Sequence, residues 1–372
     1  MKYYVIAGEP SGDLHASNFM RELKELDHSA DFYFLGGDLM EQVANRKPTI
    51  HIRQMAFMGF VDVAKNLGKI KQNFKIVKQD IELQKPDVVI LVDYPGFNLR
   101  MAKWAKEKGY KVFFYISPTV WAWKEGRVQT IKKYVDRMFV ILPFEKPFYK
   151  KHNYDVSFVG HPLLDAIEQR KKTMLSESEF RKQNNLSDKP IIAVLPGSRK
   201  QEINYMFDTM LAIMDDFKEY QFVIGGTHNL PDSAYDKARA KGIKVVYNQT
   251  YELMQYAKAG VIKSGTSTLE SVLFDLPEVV CYKAGSFSFY IAKKIINTKY
   301  ISLPNIIMDK PMVKELIQEE MTAENIKTEL NLLLHDEAYR KRIREDYAEL
   351  KKNLGGLGAS KRMAKEIHEA LN

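Results

Sequence analysis

Apolar positions fall in short runs, each followed by small residues and then by apolar positions at helical spacing. Residues 3–7 are strand-like, and residues 14–26 follow with Phe19, Leu23 and Leu26 on one helical face. Between them GEPSGD, residues 8–13, reads as a tight Gly/Pro turn. The unit recurs. Strands are predicted at 32–35, ending in Gly36 and Gly37, at 87–92, ending in Asp93, and at 111–116, 137–142 and 156–159. Residues 163–190 are helical, charged and then Pro-bearing, which reads as a connector. The pattern then restarts with a strand at 191–195, the loop Pro196, Gly197, Ser198, Arg199, and a helix over 201–214. Further strands are expected at 222–224, 244–247, 257–262 and 279–282, with helices near 252–257 and over 287–296. Residues 300–304, YISLP, read as a loop, and from Thr322 onward the chain is helical, broken at 355–358. Strands alternating with helices predict parallel sheets covered on both faces. The economical α/β architecture is two doubly wound domains facing a cleft.

Composition sharpens this picture in three places. At 372 residues the chain is long for one core, so two domains are expected. A net charge of +9 suits an anionic partner: nucleic acid, a phosphorylated small molecule or anionic lipid. A single cysteine, Cys281, forbids an internal disulfide and fits a reducing cytoplasm. Residues 3–7 are too short for a signal sequence, and no run approaches the roughly 20 apolar residues that span a bilayer. Membrane contact would then be peripheral. One stretch invites it. Residues 55–63, MAFMGFVDV, crowd Met55, Phe57, Met58 and Phe60 together, and a helix follows with Leu67, Ile70, Phe74, Val77 and Ile81 in one stripe. Lysines 65, 69, 71, 75, 78 and 85 face only Asp80 and Glu82. An apolar wedge beside a basic collar can sit on anionic lipid. The plainer reading of the stripe is a core helix with a solvated lysine face.

Candidate chemistry lies where strands end. KSGTSTLE, residues 263–270, joins a strand to a helix through small residues. Ser264, Thr266 or Ser267 can cap that helix, Gly265 permits close approach, and its first-turn N–H groups suit phosphate. Glu270, one turn in, can accept hydrogen bonds from a ribose diol. The bland alternative is a capping box between Ser267 and Glu270. Ser198 and Arg199 belong to a second such loop, and the guanidinium can grip phosphate bidentately. Asp93 ends a buried strand, which suits either a general base of raised pKa or a helix cap. Ser11 sits at the same sheet edge. Trp121 and Trp123 lie beside Lys124 and Arg127, suited to stacking on a sugar or base, or to packing a loop. His161, before a proline, reads as structural. No CxxC, HExxH or DxD spacing occurs, so neither metal nor cofactor is expected. Charge on a leaving diphosphate then falls to Arg199, helix N-termini and backbone donors.

Taken in order, AGEPSGD at 7–13, MGFVDV at 58–63, VDYPGFNL at 92–99, SPTVWAW at 117–123, LPFE at 142–145, FVGHPL at 158–163, LPGSR at 195–199, SGTSTLE at 264–270 and YISLPN at 300–305 resemble the lipid A disaccharide synthases, bacterial glycosyltransferases. The resemblance covers nearly the whole chain. It implies two Rossmann-like domains of the GT-B type: residues 1–165, binding acceptor, with the C-terminal helices 346–372, and residues 166–345, binding UDP-sugar. It implies condensation of UDP-2,3-diacylglucosamine with 2,3-diacylglucosamine 1-phosphate to the β-1′,6 disaccharide 1-phosphate and UDP, with inversion. It places Asp93 as base, Arg199 and Asn305 at the nucleotide, and the 264–270 loop at diphosphate and ribose. A peripheral, cytoplasmic enzyme on the anionic inner leaflet follows, and a homodimer exchanging its C-terminal helices through a hinge at 355–358. Two departures stand out: Asp38 where the family reads proline after the two glycines, and Lys263 where it reads alanine.

Other readings of the same residues are less economical. Another UDP-sugar enzyme of this fold, an N-acetylglucosaminyltransferase or an epimerase, is the nearest, and an epimerase has no need of an apolar patch. A nicotinamide oxidoreductase lacks G-x-G-x-x-G in both halves. A solute-binding protein would need a secretory signal, and no nucleic-acid-binding module is present.

Overall fold

The computed structural model describes residues 1–55, 67–295 and 298–372. They divide into two compact units, Met1–Asp165 with Leu354–Asn372, and Ala166–Asn353.

The first unit is built on a seven-stranded parallel sheet: β1 (Lys2–Ala7), β2 (Asp31–Gly36), β3 (Ile50–His51), β4 (Val88–Val92), β5 (Lys111–Tyr115), β6 (Arg137–Val140) and β7 (Ser157–Phe158). Its order is β3-β2-β1-β4-β5-β6-β7, so the chain leaves β1 in one direction and returns on its other side at β4. The second unit repeats the device with six parallel strands: β8 (Ile191–Leu195), β9 (Gln221–Gly226), β10 (Lys244–Tyr247), β11 (Ala257–Lys263), β12 (Glu278–Tyr282) and β13 (Lys314–Ile317). Their order is β10-β9-β8-β11-β12-β13. All five residues of β4 and of β8 are buried, because helices cover both faces of each sheet. In open α/β sheets the crevice outside the strand ends at such a reversal is where ligands bind. Here the reversals lie between β1 and β4, and between β8 and β11.

Several elements depart from the sequence reading. GEPSGD is not a free turn: the helix begins at Pro10 and runs Pro10–Leu26. Proline at the first helical turn presets φ, and Gly12 seats the helix on β1, where its Cβ would lie 3.3 Å from that of Ala7. Residues 166–190 are no loose connector. Phe180 is fully buried, Arg170 pairs with the buried Glu252 at 2.6 Å, and the Tyr256 hydroxyl donates to the Leu175 carbonyl at 2.6 Å, all within the second unit. Part of the 300–304 loop is the start of a helix, Leu303–Met308.

At the C-terminus the helix Glu337–Asn353 belongs to the second unit, burying Ile343, Tyr347 and Leu350 there. The crossing to the first unit therefore falls at Leu354 rather than 346. The last helix, Ala359–Leu371, lays Met363, Ala364 and Ile367 into the core beside Phe19, Met20 and Leu23. Its N-cap is Gly358, which has no side chain to offer. Asp165 substitutes, accepting from the Gly358 and Ser360 amides at 2.7 and 3.0 Å. Arg362 donates to the carbonyls of Val159, Leu357, Gly355 and Gly356, closing the glycine break on itself.

Met55 is 3% exposed in the first unit's core, its sulfur accepting from the Asn73 amide at 2.9 Å. It is a core residue, not a lipid contact. Phe57, Met58 and Phe60 lie outside the described residues. From Phe74 on, the stripe of the helix Leu67–Gln84 packs as expected: Val77 and Ile81 are buried and Phe74 stacks on Phe97 at 4.0 Å, while Lys71 and Lys75 face solvent. Among the described residues no helix is long and apolar enough to cross a membrane.

Candidate active site

Asp93 stands at the first reversal, one residue past β4. Both Asp93 and Tyr94 are left-handed, at φ +47° and +48°. Aspartate tolerates this region; tyrosine does not, and the strain costs on the order of 1 kcal/mol or more. The surroundings hold the kink in place. Asn98 is fully buried and donates through Nδ2 to the carbonyls of Asp93 (2.7 Å) and Val92 (3.1 Å). The Asp93 amide donates to the Tyr115 carbonyl at the end of β5. Gly8, at the end of β1, is glycine because the Tyr94 ring occupies its Cβ position, 2.3 Å away. The main chain at Asp93 is thus fixed from three sides.

Burial pushes the Asp93 carboxyl up to about 6, and the nearby charge of Glu9 adds to the shift. Glu9 is the N-cap of the helix Pro10–Leu26 and is exposed. Sequence reasoning passed over it because it sits 84 positions from Asp93; only the β1–β4 pairing brings them together. Ser11 lies in the first turn of the same helix, exposed. Asp13 of that motif is structural: its carboxylate accepts from the amides of Gly37, Leu39 and Met40 and so caps the helix Asp38–Ala44. Trp123 is 37% exposed, with Lys124 and Arg127 4.4 and 5.2 Å from its ring. Glu145, of LPFE, is buried and accepts from the Ile141 and Leu142 amides, which makes it a loop clamp. His161 is buried and takes the Leu163 amide, the structural part expected of it.

In the second unit the loops after β8, β9 and β11 line a cavity of about 420 Å³. Gly197, Ser198, Arg199, Gly265, Thr266 and Ser267 all border it, as do Glu202, Thr227, Thr250 and Lys263. Gly197 has φ +107°, and a Cβ there would lie 2.3 Å from the Glu202 carboxylate. That carboxylate fills the loop, accepting from the Ser198 and Arg199 amides at 2.9 and 3.1 Å. Those two donors are therefore occupied within the loop. Lys263 reaches across and pairs with Glu202 at 2.8 Å, while the Arg199 side chain stays 68% exposed at the rim.

The helix Thr266–Leu273 has no side-chain cap. Gly265 is its N-cap, and the hydroxyls expected to cap it turn elsewhere: Ser264 donates to the Ile301 carbonyl at 2.8 Å and Ser267 to the Lys263 carbonyl. Nor is there a capping box, because Glu270 instead accepts from the Tyr251 hydroxyl at 2.9 Å, and burial raises its pKa. The helix end thus presents first-turn amides into the cavity with a lysine ammonium 3.6 Å from the Gly265 Cβ position.

Asn305 corrects what the resemblance implied, a place at the nucleotide. It is 1% exposed, and both ends of its amide are used: Nδ2 donates to Val313 and Glu315, and Oδ1 accepts from the Val313 amide. Its side chain shapes the 301–305 loop and is not open to a ligand. Glu315 completes that loop, accepting from the Ser302 amide at 2.9 Å and from its hydroxyl. The Ser264–Ile301 bond then ties the loop to the cavity. Among the described residues no cluster of three or more His, Cys, Asp or Glu could hold a metal ion.

A family model described as lipid-A-disaccharide synthetase matches residues 3–369. A lipid-A-disaccharide synthase from Coxiella burnetii (strain CbuG_Q212) is 38% identical over 375 residues, covering 99% of this chain and 98% of that protein. One from Geobacter sulfurreducens is 36% identical, covering 99% and 96%. Among solved structures, a UDP-GlcNAc 2-epimerase from Neisseria meningitidis bound to UDP-GlcNAc has a TM-score of 0.69 at 15% identity, covering 99% of this chain and 100% of that one. A Methanocaldococcus jannaschii UDP-GlcNAc 2-epimerase in complex with UDP-GlcNAc and UDP gives 0.69 at 14%, with the same coverage. At such identities the likeness establishes the fold, two Rossmann-like domains of the GT-B type.

Proposed function

Since the chain belongs to the lipid-A-disaccharide synthetase family and is a glycosyltransferase of lipid A synthesis, we propose that it joins UDP-2,3-diacylglucosamine to 2,3-diacylglucosamine 1-phosphate, with Asp93 as general base. The second unit would hold the donor. Its diphosphate would lie over the uncapped helix end at Thr266 and Ser267, met by Arg199 and Lys263, with Ser198 and Gly265 giving close approach and Glu270 beside the ribose. The first unit would hold the acceptor near Asp93, Ser11 and Trp123. The acceptor 6-hydroxyl oxygen forms a bond to the donor anomeric carbon as the bond from that carbon to the diphosphate oxygen breaks. Asp93 takes the hydroxyl proton, and UDP carries away the electron pair. One displacement turns an α-linked donor into a β product.

The observation that carries this reading is Asp93 itself: a carboxyl held by strained backbone at the sheet reversal, with its pKa raised to about 6. A base of that strength is ionised at neutral pH yet still basic enough to accept a proton in the transition state. Asp93→Asn is expected to lower turnover by roughly 10² or more, a typical general-base loss, while UDP affinity stays unchanged. Arginine, lysine and helix amides supply the positive charge at the diphosphate, so wild-type turnover is expected to survive EDTA. An active Asp93→Asn enzyme would move the base elsewhere. Action at the cytoplasmic face of the inner membrane, as a homodimer, belongs to the same proposal.

A further inference from the structure

Beside Asp93 lies a second cavity that the scheme above does not use. It has a volume of about 350 Å³ and runs between two helices, Pro95–Glu107 and Arg127–Tyr134. Arg100, Lys103 and Arg127 line it together with Pro95, Leu99 and Thr130, and no carboxylate does. Among the described residues neither Arg100 nor Arg127 has a carboxylate partner, and Lys103 meets only Glu107, at 3.9 Å. The one acid in the adjoining loop, Glu125, is turned away onto His152 at 2.9 Å. The first-turn amides of the helix Arg127–Tyr134 are taken by the Lys124, Glu125 and Gly126 carbonyls, so the positive charge of the groove rests on its three side chains. Three cations around one groove repel each other unless an anion joins them. Leu99, Pro95 and the arginine stems make its walls apolar, so it suits a phosphate carried on a larger body.

Resting on the function proposed above, we infer that this groove binds the phosphate monoester of the acceptor. The two helices follow β4 and β5, and the groove begins two residues after Asp93. In a sugar 1-phosphate whose 6-hydroxyl attacks, phosphate and nucleophile hang from the two carbons that flank the ring oxygen. Such a substrate requires a phosphate site on the same strand end as the base, and the groove opens on the helix that follows Asp93. Anchoring the phosphate there would turn the 6-hydroxyl toward Asp93 and reject sugars lacking the charge.

The test is the double variant Arg100→Gln, Arg127→Gln, with each single variant and the Arg→Lys pair alongside, and UDP affinity as the check on folding. Calorimetric titration with glucosamine 1-phosphate should show affinity at least about tenfold weaker in the double variant, the loss expected of charge-assisted bonds, partly restored by lysine. In steady-state assays in zwitterionic micelles, KM for the phosphorylated acceptor should rise by a similar factor. The KM for donor should stay put, and the preference over the dephosphorylated acceptor should collapse. Unchanged affinity for glucosamine 1-phosphate would overturn the assignment. So would an equal rise in KM for both acceptors. Loss of binding to vesicles containing phosphatidylglycerol, with acceptor KM unchanged, would overturn it in favour of a lipid-headgroup site. A wild type that binds the sugar phosphate through these arginines yet turns nothing over would instead sink the reaction and keep the groove.

Discussion

At the residue scale the chemistry rests on how few groups are left free. The main chain at Asp93 and Tyr94 is held by Asn98, Gly8 and the Tyr115 carbonyl. The basicity of Asp93 is set by burial first and by Glu9 second. If Asp93 is the base, kcat/KM should rise with pH through an acidic limb near 6, because only the ionised carboxylate accepts a proton. Glu9→Gln removes a like charge, makes ionisation easier and should move that limb to lower pH. A limb that stays in place would assign it to another group. The motif spacing made Asp93, Arg199 and Glu270 visible as candidates, since each ends a strand or opens a helix. It could not expose Glu9, Glu202 or Tyr251, whose parts depend on neighbours 84, 61 and 19 residues away.

At the element scale the loops after the strands are held in place before any ligand arrives, and partly by stand-ins. Glu202 occupies the Ser198 and Arg199 amides as an anion would, and Lys263 neutralises it. Lys263 is the departure noted in the sequence, and its ammonium sits at the helix end proposed for the diphosphate. Lys263→Met should therefore weaken UDP binding about tenfold, the worth of one charge-assisted contact, read by calorimetry. Unchanged affinity would confine Lys263 to its bond with Glu202. The sequence pattern located most strands because a parallel strand buried on both faces is a dense apolar run. It missed β13, four residues of which Lys314 and Glu315 are charged; as an edge strand it pairs only with β12 and need not be apolar. It also missed the helical start at Pro10, since Pro and Gly read as a turn until Gly12 is seen packed on Ala7.

At the scale of the whole molecule, the first unit is assembled from both ends of the chain. Where the last helix joins it, polar groups are sealed in. His161 is buried and His15 half-buried; burial lowers their pKa values to about 3 and about 4, with His15, His161, Asp165, Tyr115 and Arg362 close enough to feel one another. Both rings are neutral when folded, whereas the unfolded chain takes up protons near pH 6.5. Stability should thus hold above pH 6.5 and fall as pH drops toward 4. At pH 5 each ring would contribute about 2 kcal/mol of that loss. Urea unfolding at pH 7 and pH 5 would measure it, and His161→Gln should remove about half of the difference. A difference equal to wild type would place the acid sensitivity elsewhere.

The order of apolar runs and small-residue turns determined, from sequence alone, that this chain makes two parallel α/β units, and the ordered motifs determined its family. Both are local signals, written in periodicity and in short peptides. What the tertiary structure decided is which side chains are free. Met55 read as a lipid contact and the resemblance placed Asn305 at the nucleotide, yet one lies in a core and the other is spent inside a loop. Ser264 and Ser267 read as caps and bond to carbonyls instead. A side chain's partners are set by which strands pair and which helices cover them, and pairings such as Ser264 with Ile301 or Met55 with Asn73 join residues that a short window along the chain does not contain.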